Sequence, residues 1–212
     1  LMLEANPSLT WRDVKHILAS TSTKIDAFSL PSFLTLNDGG YKARQGWTQN
    51  DAGYWFHNYY GFGQVNAKAA VDMARTYTAG QLGSYKTTGL IQHSYYLHES
   101  IPDNSVIGVS DQLYISPIDG VDFVESVYIR VDVTHSYSGD IAIELISPAG
   151  TRSVLKTGKD GFAESDDLAY MTLMTNAFYG ESPVGDWTIR VFDVSNADVG
   201  TLNDWGISVR GH

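Results

Sequence analysis

Apolar and polar residues alternate along most of the chain beyond residue 106. From Val127 to Val133 every second residue is aliphatic, which is typical of a strand with one buried face and one wet face. Segments with this pattern are predicted strands: residues 106–109, 112–115, 124–133, 141–146, 153–156, 171–175, 187–193 and 205–209. Short strands separated by turn residues predict a β-sandwich or a jelly roll.

Two segments of the first third have the period of amphipathic helices. Thr10 is a predicted N-cap with Asp13 as its capping-box partner, so we expect a helix over residues 11–20. Asn66 is a second predicted N-cap, for a helix over residues 67–77 that carries Val and Ala on one face.

In the other segments before residue 90, apolar and polar residues follow neither the helical nor the strand period for long. Residues 1–5 have the pattern of an apolar helix that began earlier, and the Asn-Pro pair at residues 6–7 stops it. Turn-forming residues between 21 and 58 predict two short strands or a hairpin within an irregular surface excursion. Residues 78–89, rich in Thr, Gly and Ser, are the predicted linker. Three aromatic residues of the excursion are expected to pack between the two parts of the chain: Trp47, Tyr54 and Trp55.

Composition narrows the class of protein. The 212 residues are 43% hydrophobic and 12% aromatic, which suits one or two ordered globular domains and argues against disorder. The chain has no cysteine, so disulfides, a thiolate nucleophile and cysteine-based metal sites are excluded. No apolar run approaches the ~18 residues of a membrane span. The first residues have neither a basic leader nor a small-residue cleavage site, so no signal peptide is predicted there.

Charge is unevenly distributed. Residues 1–84 have a net charge of +1 and residues 85–212 a net charge of −11, together the −10 of the whole chain. An acidic second part argues against binding of nucleic acid or anionic membranes, because both require a basic face. Basic polypeptides and divalent cations fit as partners, and the alternative interpretation is that the acidity simply keeps the domain soluble.

The turn sequences of the second part resemble a known domain. HSYSGD, SPAGT, GESPVGDW and GTLNDW, which lie between residues 135 and 205, are similar to the P domain that follows the catalytic domain in kexin-like subtilisin proteases. In the first part, LMLEANPSLTWRDVKHILASTS and FHNYYGFGQVNAKAAVDMA resemble the end of the catalytic domain of the same group. Residues 24–49 match this pattern poorly and are interpreted as an insertion.

The resemblance implies a mostly β chain. Residues 1–80 would be the helical C-terminal portion of an α/β subtilisin-like domain, 81–89 a linker, and 90–212 a jelly-roll-like β-sandwich P domain. The apolar faces of the early helices would then rest against a parallel sheet that this chain does not contain. The remainder of the catalytic domain is the expected partner. A peptide substrate, an extracellular location and a bacterial source follow from the same resemblance.

The resemblance assigns no catalytic residue to this chain. A Ser–His–Asp triad needs a nucleophile, a base and an orienting carboxylate. In this family they lie in D-T/S-G, H-G-T and G-T-S-x-A-x-P motifs, and none of these occurs here. The first residue would follow the nucleophilic serine by a dozen or so positions.

An acidic loop is the candidate metal site. Asp160, Glu164, Asp166 and Asp167 lie between two predicted strands, and hard oxygen ligands on a loop suit Ca²⁺. The spacing is not that of an EF-hand, and a solvated acidic loop is the alternative interpretation. Subtilases in general bind calcium. A second, weaker candidate comprises Asp193, Asn196 and Asp198.

The histidines are interpreted as structural. His16 and His57 lack a Gly-x-Ser context and an acidic partner in sequence, so neither is a predicted catalytic base. His135 belongs to the P-domain signature and is expected to fix a strand end and a turn, with Asp140 accepting backbone N–H groups.

The positions of the aromatic residues on the strands distinguish two hypotheses about function. Core filling is the expectation for four of them: Tyr170, Trp187, Phe192 and Trp205. A carbohydrate-binding sandwich would instead carry several aromatics on one exposed face. The preferred hypothesis is the C-terminal segment of a secreted serine endopeptidase, and the alternative is a non-catalytic carbohydrate- or protein-binding module.

Overall fold

The structure, a computed structural model, describes residues 1–159 and 167–212. Its secondary structure is 41% strand and 15% helix, so the predicted mostly β class is confirmed. The helices are α1 (Met2–Ala5), α2 (Trp11–Thr21) and α3 (Ala67–Thr76). Short 3₁₀ turns occupy Pro117–Asp119 and Ser138–Asp140.

The strands described by the structure follow in chain order. Those of the first part are β1 (Ser32–Leu36), β2 (Gly39–Arg44), β3 (Thr48–Gln49) and β4 (Trp55–Phe56). Those of the second part are β5 (Lys86–Thr87), β6 (Ile91–Gln92), β7 (Glu99–Ile101), β8 (Val109–Ile115), β9 (Val124–Thr134), β10 (Ile141–Ile146), β11 (Arg152–Lys156), β12 (Leu168–Thr175), β13 (Gly185–Asp193) and β14 (Gly200–Gly211).

Residues 85–212 form a sandwich of two antiparallel sheets, called the β-sandwich below. One sheet has the strand order β11-β10-β13-β8. The other has the order β12-β9-β14, and β5, β6 and β7 pair in turn along the far edge of β14. The predicted sandwich is therefore confirmed, and its jelly-roll-like connectivity stays a prediction.

The core lies between the two sheets. From Val127 to Val133 every second side chain is at most 1% exposed, as the alternation predicts. Trp187 and Trp205 fill the centre, and Phe178 meets Trp187 edge to face with ring centroids 4.9 Å apart.

Residues 1–84, called the N-terminal segment below, contain the three helices. The predicted capping box at Thr10 and Asp13 is present, and the Asn66 side chain accepts a hydrogen bond from the Ala69 N–H. Helices α2 and α3 pack through a small apolar cluster: Leu9, Ile17, Ala70, Ala74 and Tyr77. The predicted hairpin is β1–β2.

Three details of the second part differ from expectation. No strand covers residues 106–108 in the described chain, because Gly108 turns the backbone there at φ 57° and comes so near β13 that an added Cβ would lie 2.5 Å from the Val191 carbonyl oxygen. The short strands β5, β6 and β7 were not predicted. Since β5 lies within the predicted linker and pairs with Arg210 and Gly211, the sheet begins before residue 90. The boundaries of the two domains stay a prediction.

Candidate functional site: the junction of the two parts

A buried ion pair joins helix α2 to the β-sandwich. The Arg12 Nε donates to both carboxylate oxygens of Glu125, at 3.0 and 3.2 Å, and Arg12 Nη1 donates to the Gly83 carbonyl at 2.6 Å. The two side chains are 9% and 2% exposed. Because the capping box fixes the start of α2, Arg12 in its first turn points at one site on β9.

Other polar groups complete this network. The Glu125 Oε1 also accepts from His212 Nδ1 at 3.0 Å. Lys15 Nζ, one helical turn from Arg12, donates to the Glu125 carbonyl at 2.8 Å and to Asn176 Oδ1 at 3.1 Å. Two basic side chains of one helix therefore bind the start of β9, and His212 completes the site.

The environment sets the ionisation of these groups. Burial opposes the charge on Glu125, but hydrogen bonds from Arg12 and His212 outweigh it and hold the pKa of the carboxyl below its ordinary value. The hydrogen bond to Glu125 raises the pKa of Arg12, whereas burial lowers the pKa of Lys15. The pair is charged at neutral pH and is a structural contact.

A second set of hydrogen bonds involves the β3–β4 turn. Asn50 Nδ2 donates to the carbonyls of Ala177 and Tyr179, both at 2.9 Å, while its Oδ1 accepts from the Tyr54 N–H at 2.8 Å. The Asp51 N–H donates to Glu181 Oε1 at 3.1 Å. The Asn50 side chain thus supplies the hydrogen-bond donor for two buried carbonyls of the β-sandwich that would otherwise need a main-chain N–H.

Replacing Asn50 with Ala is expected to lower the free energy of unfolding by about 2–3 kcal/mol, because buried carbonyls lose their donors. Chemical denaturation followed by circular dichroism measures this. Gln49→Ala is the matched control: among the described residues its side-chain amide donates only to the nearby Gly53 carbonyl, and it is exposed, so we expect a change within about 0.5 kcal/mol. Equal effects of the two substitutions would contradict this role of Asn50.

Tyr179 is the aromatic centre of the junction. Its ring lies 5.0 Å from Tyr54 and 5.7 Å from Phe62, both edge to face, and its hydroxyl lies 3.0 Å from His16 Nδ1. The Lys15 ammonium lies 5.5 Å from the same ring. Burial raises the pKa of Tyr179, so the phenol stays neutral.

The β1–β2 hairpin covers the outer face of the four-stranded sheet. Three of its side chains pack against three of the sandwich, forming a cluster of Leu36, Tyr41, Ala43, Ala142, Phe192 and Val194. Tyr41 and Phe192 lie 4.6 Å apart between ring centroids. The segment interpreted as an insertion is therefore part of the contact between the two parts.

The predicted histidines lie in structural positions. His16 contacts Tyr179 as described. His57 is 2% exposed; its Nδ1 accepts from the Tyr59 N–H and its Nε2 lies 3.2 Å from Ser29 Oγ. Burial lowers the pKa of both imidazoles.

His135 fixes a strand end and a turn, as predicted. Its Nε2 lies 3.2 Å from Asp193 Oδ2 and its Nδ1 lies 2.8 Å from the Tyr137 carbonyl, with both side chains of the His–Asp pair buried. Asp140 contributes main-chain bonds, accepting from the Val194 N–H at 2.9 Å and donating to the Tyr137 carbonyl.

The calcium site stays a prediction. Asp160, Glu164 and Asp166 lie outside the described residues. The fourth candidate, Asp167, accepts the His135 N–H at 2.9 Å. In residues 1–159 and 167–212 no three His, Asp or Glu side chains are placed to hold a metal. In the weaker candidate, Asp193 accepts from the Ser195 N–H, and the Asn196 side chain accepts from Asn37 and Asn104.

The predictions for the aromatic residues are confirmed for some residues and wrong for others, depending on the face of the strand on which each lies. Trp187 and Trp205 fill the core as expected. Phe192 is buried on the opposite face of its strand, under the hairpin, and Tyr170 is 50% exposed, so its predicted core role is wrong. Of the three aromatics expected between the two parts, Tyr54 contacts Tyr179, whereas the rings found near Trp47 are His57 and Tyr60, and Trp55 lies under Lys24.

Sequence reasoning missed Arg12, Asn50, Glu125 and Glu181. One signal was available: Glu125 follows Val124 at the start of a strand with aliphatic alternation, where a charged residue calls for a partner. The identity of that partner, 113 positions away, is not encoded locally.

Comparisons with known proteins agree with the architecture. Residues 124–209 match the family described as Proprotein convertase P-domain. The chain is 32% identical over 213 residues to "Aeromonas extracellular serine protease" of Aeromonas sobria, covering 92% of this chain and 34% of that protein. It is 31% identical over 223 residues to the human "Proprotein convertase subtilisin/kexin type 5", covering 100% of this chain and 11% of that protein.

The fold is also similar to solved structures. A serine protease of Aeromonas sobria, solved with the chaperone ORF2, superimposes with a TM-score of 0.89 at 28% identity, over 100% of this chain and 41% of that chain. The same protease solved alone gives a TM-score of 0.87.

Fold and comparisons together define a class: a β-sandwich P domain joined to a helical N-terminal segment. The chain contains a P domain of the kind found in subtilisin/kexin-like serine proteases, and over its whole length it is similar to the C-terminal part of such a protease. It spans about a third of the length of the Aeromonas protease, 34%. Within the part of the chain described, no helix is long and apolar enough to cross a membrane.

Proposed function

We propose that this chain is the C-terminal segment of a secreted serine endopeptidase, and that its P domain stabilises the catalytic domain. Peptide-bond hydrolysis would be carried out by the rest of that domain. The extracellular location is supported by the relative from Aeromonas sobria, whose name describes an extracellular protease.

The observation that carries the proposal is the buried network around Arg12 and Glu125. A buried polar network of this kind fixes the orientation of the N-terminal segment relative to the β-sandwich, because moving the two apart would leave charged side chains without partners in a site that excludes water. The N-terminal segment is tied to the β-sandwich at two further places, Asn50 and the hairpin cluster. Whatever packs on the N-terminal segment is therefore coupled to the stability of the P domain.

The helices of the N-terminal segment also carry an exposed apolar surface, which supports the presence of a binding partner at that surface. Leu1, Leu3 and Val65 are 81%, 54% and 59% exposed. They border a groove of about 370 Å³ between the helices, lined by Leu1, Met2, Leu3, Val14, Leu18, Val65, Ala67, Ala70 and Val71. Apolar patches of this kind mark interaction sites. The proposed occupant is the remainder of the subtilisin-like domain.

Expression of residues 1–212 alone and joined to the upstream protease segment tests this. We expect peptidase activity only from the joined protein, and faster thermal inactivation when residues 85–212 are removed from it. Hydrolysis of peptides by residues 1–212 alone would overturn the assignment. An active protein whose inactivation rate is unchanged by the removal would overturn the stabilising role.

One observation favours the alternative, a carbohydrate-binding module. Tyr96 and Tyr170, 58% and 50% exposed, lie near each other on the outside of the six-stranded sheet. Exposed aromatic rings offer flat faces for sugars. Glycan binding that is lost in Tyr170→Ala would favour this function.

A further inference from the structure

The two sheets of the β-sandwich end side by side in two edge strands, β11 and β12. Among the strands that the structure describes, each is paired on one side only, β11 with β10 and β12 with β9. An edge strand presents unpaired N–H and C=O groups to whatever lies beside it, and natural proteins protect such edges. The two edges are treated differently here.

The β11 edge is capped by amide side chains of the N-terminal segment. Gln45 Nε2 donates to the Arg152 carbonyl at 2.8 Å, and its Oε1 accepts from the Val154 N–H at 3.2 Å. Asn58 Nδ2 donates to the Val154 carbonyl at 2.8 Å. Two side chains thus take the place of a neighbouring strand.

The β12 edge has no such cap among the described residues. Its eight residues, LAYMTLMT, include no charge and no proline, the usual protections of an edge. A bulge between Leu168 and Met171 interrupts the register, and Met171–Thr175 then pairs regularly with β9. Met174 is 51% exposed. Among the described residues, no other strand pairs with the outer side of Met171–Met174, so this part of β12 can accept another strand.

A slot runs beside this edge. Its volume is about 620 Å³, and its walls are Val154 and Leu155 of β11 on one side and Met171 and Leu173 of β12 on the other. Arg44 and Tyr59 of the N-terminal segment close it, so neither part of the chain forms the slot alone.

Arg44 gives the slot a charge. Its guanidinium lies 5.2 Å from the centre of the Tyr59 ring and is exposed. Within the described residues no carboxylate pairs with it at 4.0 Å or less. An arginine held over an aromatic ring and left without a partner is suited to a carboxylate from elsewhere.

We propose that the β12 edge and this slot bind an extended peptide of another chain, with an acidic side chain of the peptide paired to Arg44. A polypeptide is the ligand that supplies N–H and C=O groups at the spacing of a strand, and the slot accepts its alternate side chains. This site is separate from the Arg12–Glu125 network, but it forms only when the N-terminal segment is packed on the β-sandwich.

Fluorescence anisotropy with two labelled eight-residue peptides tests the proposal on the full-length protein. Both alternate Val and Thr; one has a central Glu and the other a central Lys. We expect saturable binding of the Glu peptide, on the order of 100 μM, and binding at least about tenfold weaker for the Lys peptide. A Glu peptide N-methylated at alternate residues, which cannot pair as a strand, should not bind.

Variants locate the site. Arg44→Gln should weaken binding of the Glu peptide several-fold, whereas Arg210→Gln should leave it unchanged. Arg210 is a matched control because it also lies over a tyrosine, Tyr128, at 4.1 Å. Hydrogen exchange should slow at β12 amides when the peptide is bound. No saturable binding, equal binding of the N-methylated peptide, or unchanged exchange in β12 would each overturn the proposal.

Discussion

Replacing Glu125 with Gln is expected to lower the free energy of unfolding by about 3–5 kcal/mol, since it leaves the buried Arg12 guanidinium without its carboxylate. Gln has nearly the same shape as Glu, so the loss comes from charge and hydrogen bonding rather than from packing. Urea denaturation of the two proteins at pH 7 measures it. When residues 1–212 are joined to the proposed upstream protease segment, the same substitution should shorten the half-life of peptidase activity on heating.

The sign of the pH dependence follows from the depressed pKa of Glu125. A carboxyl with a lower pKa in the folded state stabilises the protein above its unfolded value, about 4.5, and loses this contribution as the pH falls through the folded value. The difference between wild type and Glu125→Gln should therefore shrink below roughly pH 4. A constant difference from pH 7 to pH 3 would contradict this account.

Asp72→Asn is the control for the charge change. Asp72 pairs with Lys68 and Arg75 on the exposed side of α3, where water screens the interaction. We expect no measurable change in its denaturation curve. A loss comparable to that of Glu125→Gln would show that net charge, rather than the buried pair, decides the result.

Replacing Trp187 with Ala is expected to cost about 3–5 kcal/mol, because its side chain is fully buried between the sheets and a cavity would remain. The substitution also removes the indole donor to the Pro183 carbonyl, at 2.7 Å, and the edge-to-face contact with Phe178. Thermal unfolding followed by circular dichroism measures the effect. If the P domain stabilises the protease, its inactivation temperature should fall in parallel.

Trp55→Ala is the matched control. Trp55 is 38% exposed and its ring lies 3.4 Å from the Lys24 ammonium, so its removal should cost about 1 kcal/mol or less. Equal losses for the two tryptophans would mean that the core between the sheets is not what holds the β-sandwich folded.

Local features of this protein were predictable from sequence because they depend on near neighbours. The capping box of Thr10 and Asp13 spans three residues, and the buried side of β9 follows from alternation alone. The turn motifs likewise pointed to the P domain. Each of these signals is complete within one element or one turn.

Whether an aromatic side chain on the outer face of a strand is buried depends on what packs over that face. Phe192 and Tyr170 sit on strands with similar patterns, yet one is buried under the hairpin and the other is exposed. Alternation separates the two faces of a strand but does not say whether a second layer lies on the outer one. The pairing of Arg12 with Glu125 was not predictable either, because the two residues lie 113 positions apart and only the folded chain brings them together.

The sequence by itself therefore determined most of the helices and strands, the sandwich and its resemblance to the P domain. Only the tertiary structure decided how the N-terminal segment and the β-sandwich meet, through Arg12, Asn50 and the hairpin. The physical reason is that periods and caps are set by neighbouring residues, whereas a buried charge or an outer aromatic is stabilised by groups that the fold brings from far along the chain.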